Sequence, residues 1–160
     1  MEVYLFRHGI AEDARPGHAD PARELTAEGR RKTAAVAKTL RDAGVSASLI
    51  LTSPYVRAVQ TARIAAEELG YKADLAETKA LIPNGTPEGV WDELRQHRSE
   101  TAVLLAGHEP LMGHLAAYLL NCPALKIDVR KAAMIRIDID RFAGAPHGIL
   151  RWVITPKLCR

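Results

Sequence analysis

The sequence predicts an α/β protein, a three-layer α/β/α sandwich whose mostly parallel sheet carries an antiparallel hairpin at one edge. Short apolar runs alternate with longer segments of helical periodicity, whereas the last two apolar runs follow each other without a helix between them. Such alternation favours parallel strands with helices on both faces of the sheet. The length of 160 residues favours one domain over positions 1–160.

The strands are predicted from apolar runs that end at polar or turn residues. They cover residues 3–6, 49–52, 101–106, 134–140 and 149–154. A further extended segment is expected over residues 74–81, before the turn residues Pro83, Asn84 and Gly85. The last two strands are joined by a turn containing Gly144, Pro146 and Gly148, which is typical of a hairpin.

Four helices are predicted between these strands, over about residues 26–43, 56–69, 86–97 and 110–120. Thr26 and Thr86 are suitable caps for the first and third helices, and Gly44 and Gly70 end the first and second. Residues 12–24 form a stretch without periodicity that is too long for a simple turn. We expect it to be either a functional loop or a mobile one.

Composition excludes several classes of function. The net charge is +3, and the basic and acidic residues are mixed along the chain, so we expect no nucleic-acid partner. No apolar run approaches the roughly 20 residues of a membrane span, so we expect no membrane partner. Residues 1–7 do not resemble a signal peptide, so we expect a cytoplasmic location. Cys122 and Cys159 have no metal-type spacing, so no metal is expected, and no Gly-rich nucleotide loop is present, so no cofactor is expected.

Polar side chains follow three of the predicted strands. Arg7 and His8 end the first strand, Ser53 follows the second with Arg57 one helical turn later, and His108 follows the strand at 101–106. In open α/β sheets, ligands bind beyond the carboxyl ends of the strands. The sequence therefore predicts that these side chains form one site.

The residue types in this predicted site fit a phosphoryl group. Arg7 and Arg57 supply planar guanidinium groups, which match phosphate oxygens and stay charged. Histidine is largely neutral at pH 7, and nearby arginines should lower the pKa of His8 further, which suits a nucleophile. His108 is a further donor, and a helix beginning after Pro110 adds partial positive charge. Taken singly, each histidine is more often a satisfied structural residue, so the joint placement carries the prediction.

Four segments of the chain have the form of recognisable motifs. They are Leu5-Phe6-Arg7-His8-Gly9, Leu25-Thr26-Ala27-Glu28-Gly29, Ser53-Pro54-Tyr55-Val56-Arg57-Ala58-Val59-Gln60-Thr61-Ala62 and Gly107-His108-Glu109-Pro110. In this order they resemble the motifs of the histidine phosphatase superfamily, whose fold is called phosphoglycerate mutase-like. The short length and the segments at 81–85 and 152–156 resemble its small SixA-type phosphohistidine phosphatases.

The resemblance implies a metal-independent phosphohydrolase in which His8 becomes phosphorylated and Arg7, Arg57 and His108 bind the phosphate. The substrate would be a phosphorylated protein, such as a histidine-phosphorylated signalling domain, or a small phosphorylated molecule. Two alternatives stay open: a broader phosphatase on the same scaffold, and a non-catalytic phosphate-binding module. The oligomeric state also stays open.

The chain departs from the family at one position. Larger members carry a glutamate general acid shortly before the glycine of the middle motif, where this chain has Ala80. Glu77 and Asp13 are the candidates for a replacement acid, and the third possibility is that no acid exists. An imidazole leaving group needs less protonation than an alkoxide, so the absence of an acid favours P–N over P–O substrates.

Overall fold

The computed structural model describes residues 1–159, which form one six-stranded sheet and four α-helices. The strands are β1 (Glu2–Arg7), β2 (Leu49–Thr52), β3 (Ala76–Glu77), β4 (Ala102–Gly107), β5 (Met134–Asp138) and β6 (Ile149–Ile154). The helices are α1 (Ala27–Asp42), α2 (Val56–Leu69), α3 (Pro87–Gln96) and α4 (Leu111–Leu119). Three short 3-10 helices lie at Asp20–Ala22, Lys79–Leu81 and Pro156–Leu158.

The strand order in the sheet is β3-β2-β4-β1-β5-β6. Strands β3, β2, β4 and β1 are parallel to one another, whereas β5 is antiparallel to β1 and β6 is antiparallel to β5. All six residues of β4 are buried because it lies in the middle of the sheet and is covered on both faces. The predicted mostly parallel sheet with an antiparallel edge hairpin is confirmed.

The two faces of the sheet are separated by the alternation of side chains along each strand. In β1, Val3 and Leu5 belong to a core cluster with α3 and α4, whereas Tyr4 and Phe6 belong to a second cluster with α1 and α2. The predicted caps form, since the amide nitrogens of Gly29 and Gly89 donate to the hydroxyls of Thr26 and Thr86. The helices therefore lie in pairs on opposite faces, which gives the predicted three layers.

One segment differs from its predicted form, and the loop predicted over residues 12–24 contains a short helix. Within residues 74–81, only Ala76–Glu77 pair as a strand, because Thr78 then caps the 3-10 helix Lys79–Leu81 through its hydroxyl. The irregular stretch 12–24 is ordered by a bridge between Ala11 and Leu25 at its ends and by the 3-10 helix Asp20–Ala22. No helix within residues 1–159 is long and apolar enough to cross a bilayer. The single domain over 1–160 stays a prediction.

Candidate active site

The three strand ends predicted to carry the site are neighbours in the sheet, because β4 lies between β1 and β2. The amide nitrogen of His8 donates to the carbonyl of Gly107, and that of Ser53 donates to the carbonyl of Ala106, both at 2.9 Å. These bonds continue the parallel ladder beyond the strands. They place the rings of His8 and His108 with centroids 5.0 Å apart.

The proton of His8 is fixed by its backbone neighbour. Nδ1 of His8 lies 2.7 Å from the carbonyl oxygen of Gly9. Because a carbonyl oxygen only accepts hydrogen bonds, Nδ1 carries the proton in the neutral ring. Nε2 therefore keeps its lone pair, and this atom accepts a hydrogen bond from Nε of Arg57 at 3.3 Å.

The surroundings of His8 keep its ring neutral. Burial, with 7% of the residue exposed, is the main reason why its pKa falls to about 4, and the charges of Arg57 and Arg7 lower the pKa further. The direction agrees with the expectation from the sequence. The sequence predicts only the effect of the arginines, whereas desolvation by burial contributes more to the lowered pKa of His8.

Arg57 is held in place by a residue that the sequence analysis did not single out. Its Nη1 donates to the backbone oxygen of Asp20 at 2.8 Å, and its Nη2 donates to Oδ2 of Asp20 at 3.0 Å. Together with the bond to His8, all three guanidinium nitrogens are engaged. The ring of Tyr55 lies 5.1 Å from the Arg57 guanidinium carbon and adds a cation–π contact.

Asp20 contributes a charged carboxylate to the site. Burial alone would raise the pKa of this carboxyl group, but hydrogen bonds from Arg23 and Arg57 hold the pKa below its ordinary value. Asp20 lies in the stretch 12–24 that the sequence marks as a functional or mobile loop. No motif around Asp20 indicates its contact with Arg57.

Arg7 and His108 present buried polar atoms that lack a partner. Arg7 donates from Nη1 to the carbonyl of Val129 at 2.7 Å, and Nε2 of His108 lies 2.8 Å from the hydroxyl of Ser53. Within residues 1–159, Nε of Arg7 and Nδ1 of His108 have no hydrogen-bond partner. Buried polar groups are normally satisfied, so these two atoms indicate a place for a polar ligand.

His108 is neutral as well as buried. Burial, followed by the proximity of His8 and Arg57, lowers its pKa to about 3. The sequence allows either a cationic or a neutral donor at this position, and the structure favours the neutral one. The positive charge of the site therefore comes from the arginines.

The partial positive charge expected at the beginning of α4 is already matched by an acidic side chain. The amide nitrogen of Gly113 donates to Oε1 of Glu109 at 2.6 Å, so Glu109 caps this helix. Burial raises the pKa of the Glu109 carboxyl above its ordinary value, although the bond from Gly113 and the charge of Arg7 oppose the rise. The beginning of α4 is therefore less available to an anion than the sequence suggested.

The acid candidates chosen from the sequence make no polar contact with these groups in the described residues. Glu77 is exposed in β3, at the far edge of the sheet, and Asp13 lies in the loop 12–24. Asp20 and Glu109 are the carboxylates that border the site. No group of three or more His, Cys, Asp or Glu side chains within residues 1–159 is placed to hold a metal.

Comparison with known proteins agrees with the fold. A sequence profile of the histidine phosphatase superfamily (branch 1) matches residues 3–82, half of the chain. An uncharacterised protein of Picosynechococcus sp. is 37% identical over 139 residues, with 84% of this chain and 83% of that protein covered.

Two further similarities concern proteins that carry a functional name. The phosphohistidine phosphatase SixA of Escherichia coli is 28% identical over 98% of this chain and 94% of its own length. The solved structure of the protein histidine phosphatase SixA complexed with tungstate superposes with a TM-score of 0.87, at 28% identity and 98% coverage of both chains. This chain therefore belongs to branch 1 of the histidine phosphatase superfamily and has the fold of that family.

Proposed function

We propose that the chain is a protein phosphohistidine phosphatase that transfers the phosphoryl group of its substrate to Nε2 of His8 and then to water. One observation carries this proposal: Nε2 of His8 is unprotonated, buried and directed at the guanidinium of Arg57. A nucleophile and a group that stabilises phosphoryl charge are thus in contact before substrate binds.

In the first step, Nε2 of His8 attacks phosphorus. The P–Nε2 bond forms while the bond between phosphorus and the substrate imidazole breaks, and that imidazole nitrogen takes up a proton from solvent. The bond between Nδ1 and the Gly9 carbonyl persists and stabilises the cationic ring that phosphorylation produces. The weak bond from Arg57 to Nε2 is exchanged for a bond to the phosphoryl oxygens.

In the second step, a water molecule attacks the phosphorylated His8. The P–Nε2 bond breaks, inorganic phosphate leaves, and the water gives its proton to phosphate or solvent. Arg57 and Arg7 match the charge on the equatorial oxygens in both steps, since phosphoryl transfer depends mainly on positioning and electrostatic stabilisation. Nδ1 of His108 donates to one oxygen if the Ser53 hydroxyl donates to Nε2 of His108.

The nature of the leaving group follows from the position of Ala80. Ala80 lies in the 3-10 helix Lys79–Leu81. This helix lies beside the end of β4, since a Cβ added to Gly107 would be 3.4 Å from the carbonyl oxygen of Leu81. A methyl side chain cannot donate a proton from this position. The imidazole of phosphohistidine needs less protonation than an alkoxide, and the relative SixA is named for this substrate.

A comparison of three substrates under the same conditions tests the proposal. A phosphohistidine peptide, a phosphotyrosine peptide and a sugar phosphate are each supplied to the purified protein, and the released phosphate is measured. We expect kcat/KM to be highest for the phosphohistidine peptide. Faster cleavage of either phosphomonoester would overturn the assignment of substrate.

The observation that favours a second function, a broader phosphomonoesterase, is the raised pKa of Glu109. A carboxyl group whose pKa is raised by burial holds its proton to a higher pH than usual, and a protonated carboxyl group can protonate an alkoxide. If Glu109 has this role, Glu109→Gln lowers kcat for a phosphomonoester while leaving phosphohistidine hydrolysis unaffected. Equal effects on both substrates would limit Glu109 to capping α4.

The remaining expectations are proposals as well. A purely phosphate-binding module has no need of the unprotonated Nε2 of His8, which argues against that alternative. The cytoplasmic location stays a prediction that fractionation of cells expressing the protein would check.

A further inference from the structure

A groove of about 710 Å³ adjoins the candidate active site and shares Arg7 with it. A volume in the range of sites for drug-sized ligands, roughly 300–1,000 Å³, exceeds what one phosphoryl group requires. The charged residues that line it come from β1, from α1, from the segment before β5 and from the segment after β6. They are Arg7, Lys32, Asp128, Arg130, Lys131 and Lys157, and together they define the basic groove.

The basic groove concentrates positive charge. Five cationic side chains face one carboxylate, a formal excess of four charges, whereas the whole chain has a net charge of only +3. Asp128 pairs with Arg130 at 2.6 Å, and Lys32 pairs with Glu28 of its own helix. Lys131 and Lys157 are exposed and form no ion pair with any of residues 1–159. Lys131 and Lys157 thus offer positive charge that no carboxylate within residues 1–159 pairs with.

The groove is connected to His8 by backbone hydrogen bonds. The amide of Ala132 donates to the carbonyl of His8, and the amide of Arg7 donates to the carbonyl of Ala133, both at 3.1 Å. The charge of Lys131 is close enough to lower the pKa of His8, although burial is the main cause of that shift. Residues that flank a phosphohistidine in a bound substrate would therefore reach the lysines.

We propose that the basic groove binds an acidic segment of the protein substrate on either side of its phosphohistidine. This inference rests on the proposed phosphohistidine phosphatase function and names the partner: a phosphorylated protein with carboxylates next to the modified histidine. Lysines suit this partner because their flexible ammonium groups attract carboxylates without demanding one geometry. None of the lining residues is aromatic, which disfavours single-stranded nucleic acid, since its bases stack on aromatic rings.

Three synthetic peptides test the groove. Each contains one phosphohistidine, flanked on both sides by two glutamates, two glutamines or two lysines. With the unmodified enzyme at low salt, we expect kcat/KM for the Glu-flanked peptide to exceed that for the Gln-flanked peptide by about tenfold. The difference should shrink as salt is added, because exposed charges are screened.

The variant with Lys131→Glu and Lys157→Glu, the groove variant, should lose this preference. The readout is the ratio of the two kcat/KM values, so a uniform change in catalysis cancels. The variant with Lys38→Glu and Lys72→Glu is the matched control, because both lysines are exposed and lie outside the groove, and the two substitutions reverse the same number of charges. A preference that persists in the groove variant, or one that is equally lost in the control variant, would overturn the proposal.

A measurement of peptide binding without turnover tests the groove independently of the proposed phosphatase function. Fluorescence anisotropy measures the affinity of the unphosphorylated Glu-flanked peptide and of an oligothymidine of equal charge. Peptide binding that weakens in the groove variant, without hydrolysis of any phosphohistidine peptide, would contradict the function but support the groove. Hydrolysis without any flank preference would contradict the groove alone. Binding of the oligothymidine but not of the peptide would also overturn the groove as a protein-docking site.

Discussion

Nε of Arg57 donates a hydrogen bond to Nε2 of His8 at 3.3 Å, between two residues 49 positions apart in the chain. This contact joins the candidate nucleophile to the candidate phosphate-binding group. It also identifies the reactive nitrogen, because the Gly9 carbonyl holds the proton of His8 on the other side of the ring.

Removal of the guanidinium of Arg57 should slow the reaction strongly. We expect Arg57→Ala to lower kcat by roughly a hundredfold or more, since the charge that develops on the phosphoryl oxygens loses its main partner. Arg57→Lys should recover only part of this loss, because an ammonium group cannot donate in parallel to two oxygens. Steady-state kinetics with a phosphohistidine peptide checks both variants, and near-normal turnover in Arg57→Ala would place the pocket elsewhere.

Asp20 should compete with phosphate for Arg57. Its carboxylate is an anion that already occupies Nη2 of Arg57. We therefore expect Asp20→Ala to lower the inhibition constant of inorganic phosphate by about twofold to fivefold, the scale of a partly exposed ion pair. Weaker inhibition in the variant would show instead that Asp20 orients Arg57 for phosphate.

The histidine pair should stay neutral in mildly acidic solution. Because the pKa of His8 lies near 4 and that of His108 near 3, both rings should remain unprotonated at pH 5.5. The unfolded chain binds these protons below about pH 6.5, so the free energy of unfolding should fall as the pH drops from there towards 4. Histidine-labelled NMR, assigned with His8→Gln and His108→Gln, measures the rings directly, and a His8 midpoint near 6.5 would contradict the account.

Gly29 should be essential for stability because α1 begins directly against the loop after β1. A Cβ on Gly29 would overlap the backbone oxygen of Ile10, which cannot move aside as a side chain could. Gly89 is the matched control, because it is the third residue of α3 as Gly29 is of α1, and both helices are capped by a threonine. A Cβ added to Gly89 would contact only the side chain of Thr86, at 3.2 Å.

Thermal unfolding of the two variants compares these positions. Gly29→Ala should lower the midpoint markedly, because overpacking against backbone is costly. Gly89→Ala should be close to neutral. Similar midpoints for the two variants would show that α1 can shift away from Ile10.

The sequence predicts the four site residues because each lies at or just beyond the end of a buried strand. Once apolar runs are assigned to parallel strands, the topology alone brings Arg7, His8 and His108 to one edge of the sheet. Arg57 is predicted at the same edge because it lies about one helical turn beyond the end of β2. The arrangement of these four therefore depends on local patterns and one general rule of α/β sheets.

The roles of Asp20 and Glu109 could not be predicted from the sequence, because they depend on tertiary contacts. The loop that carries Asp20 has no periodicity, so nothing in it predicts that a 3-10 helix will place a carboxylate on Arg57. The raised pKa of Glu109 results from burial, which no pattern around it reveals. The extended form expected over residues 74–81 is wrong for Lys79–Leu81, because the Thr78 hydroxyl caps a helical turn there.

Trapping of a phosphorylated enzyme is the most direct test of His8 as the nucleophile. The protein is mixed with a phosphohistidine peptide that carries labelled phosphate, quenched within milliseconds in base, and digested for mass spectrometry. We expect a base-stable, acid-labile phosphoryl group on the peptide that contains His8, formed before phosphate is released and absent in His8→Ala. Turnover without any labelled enzyme, or with the label on another residue, would contradict this role of His8.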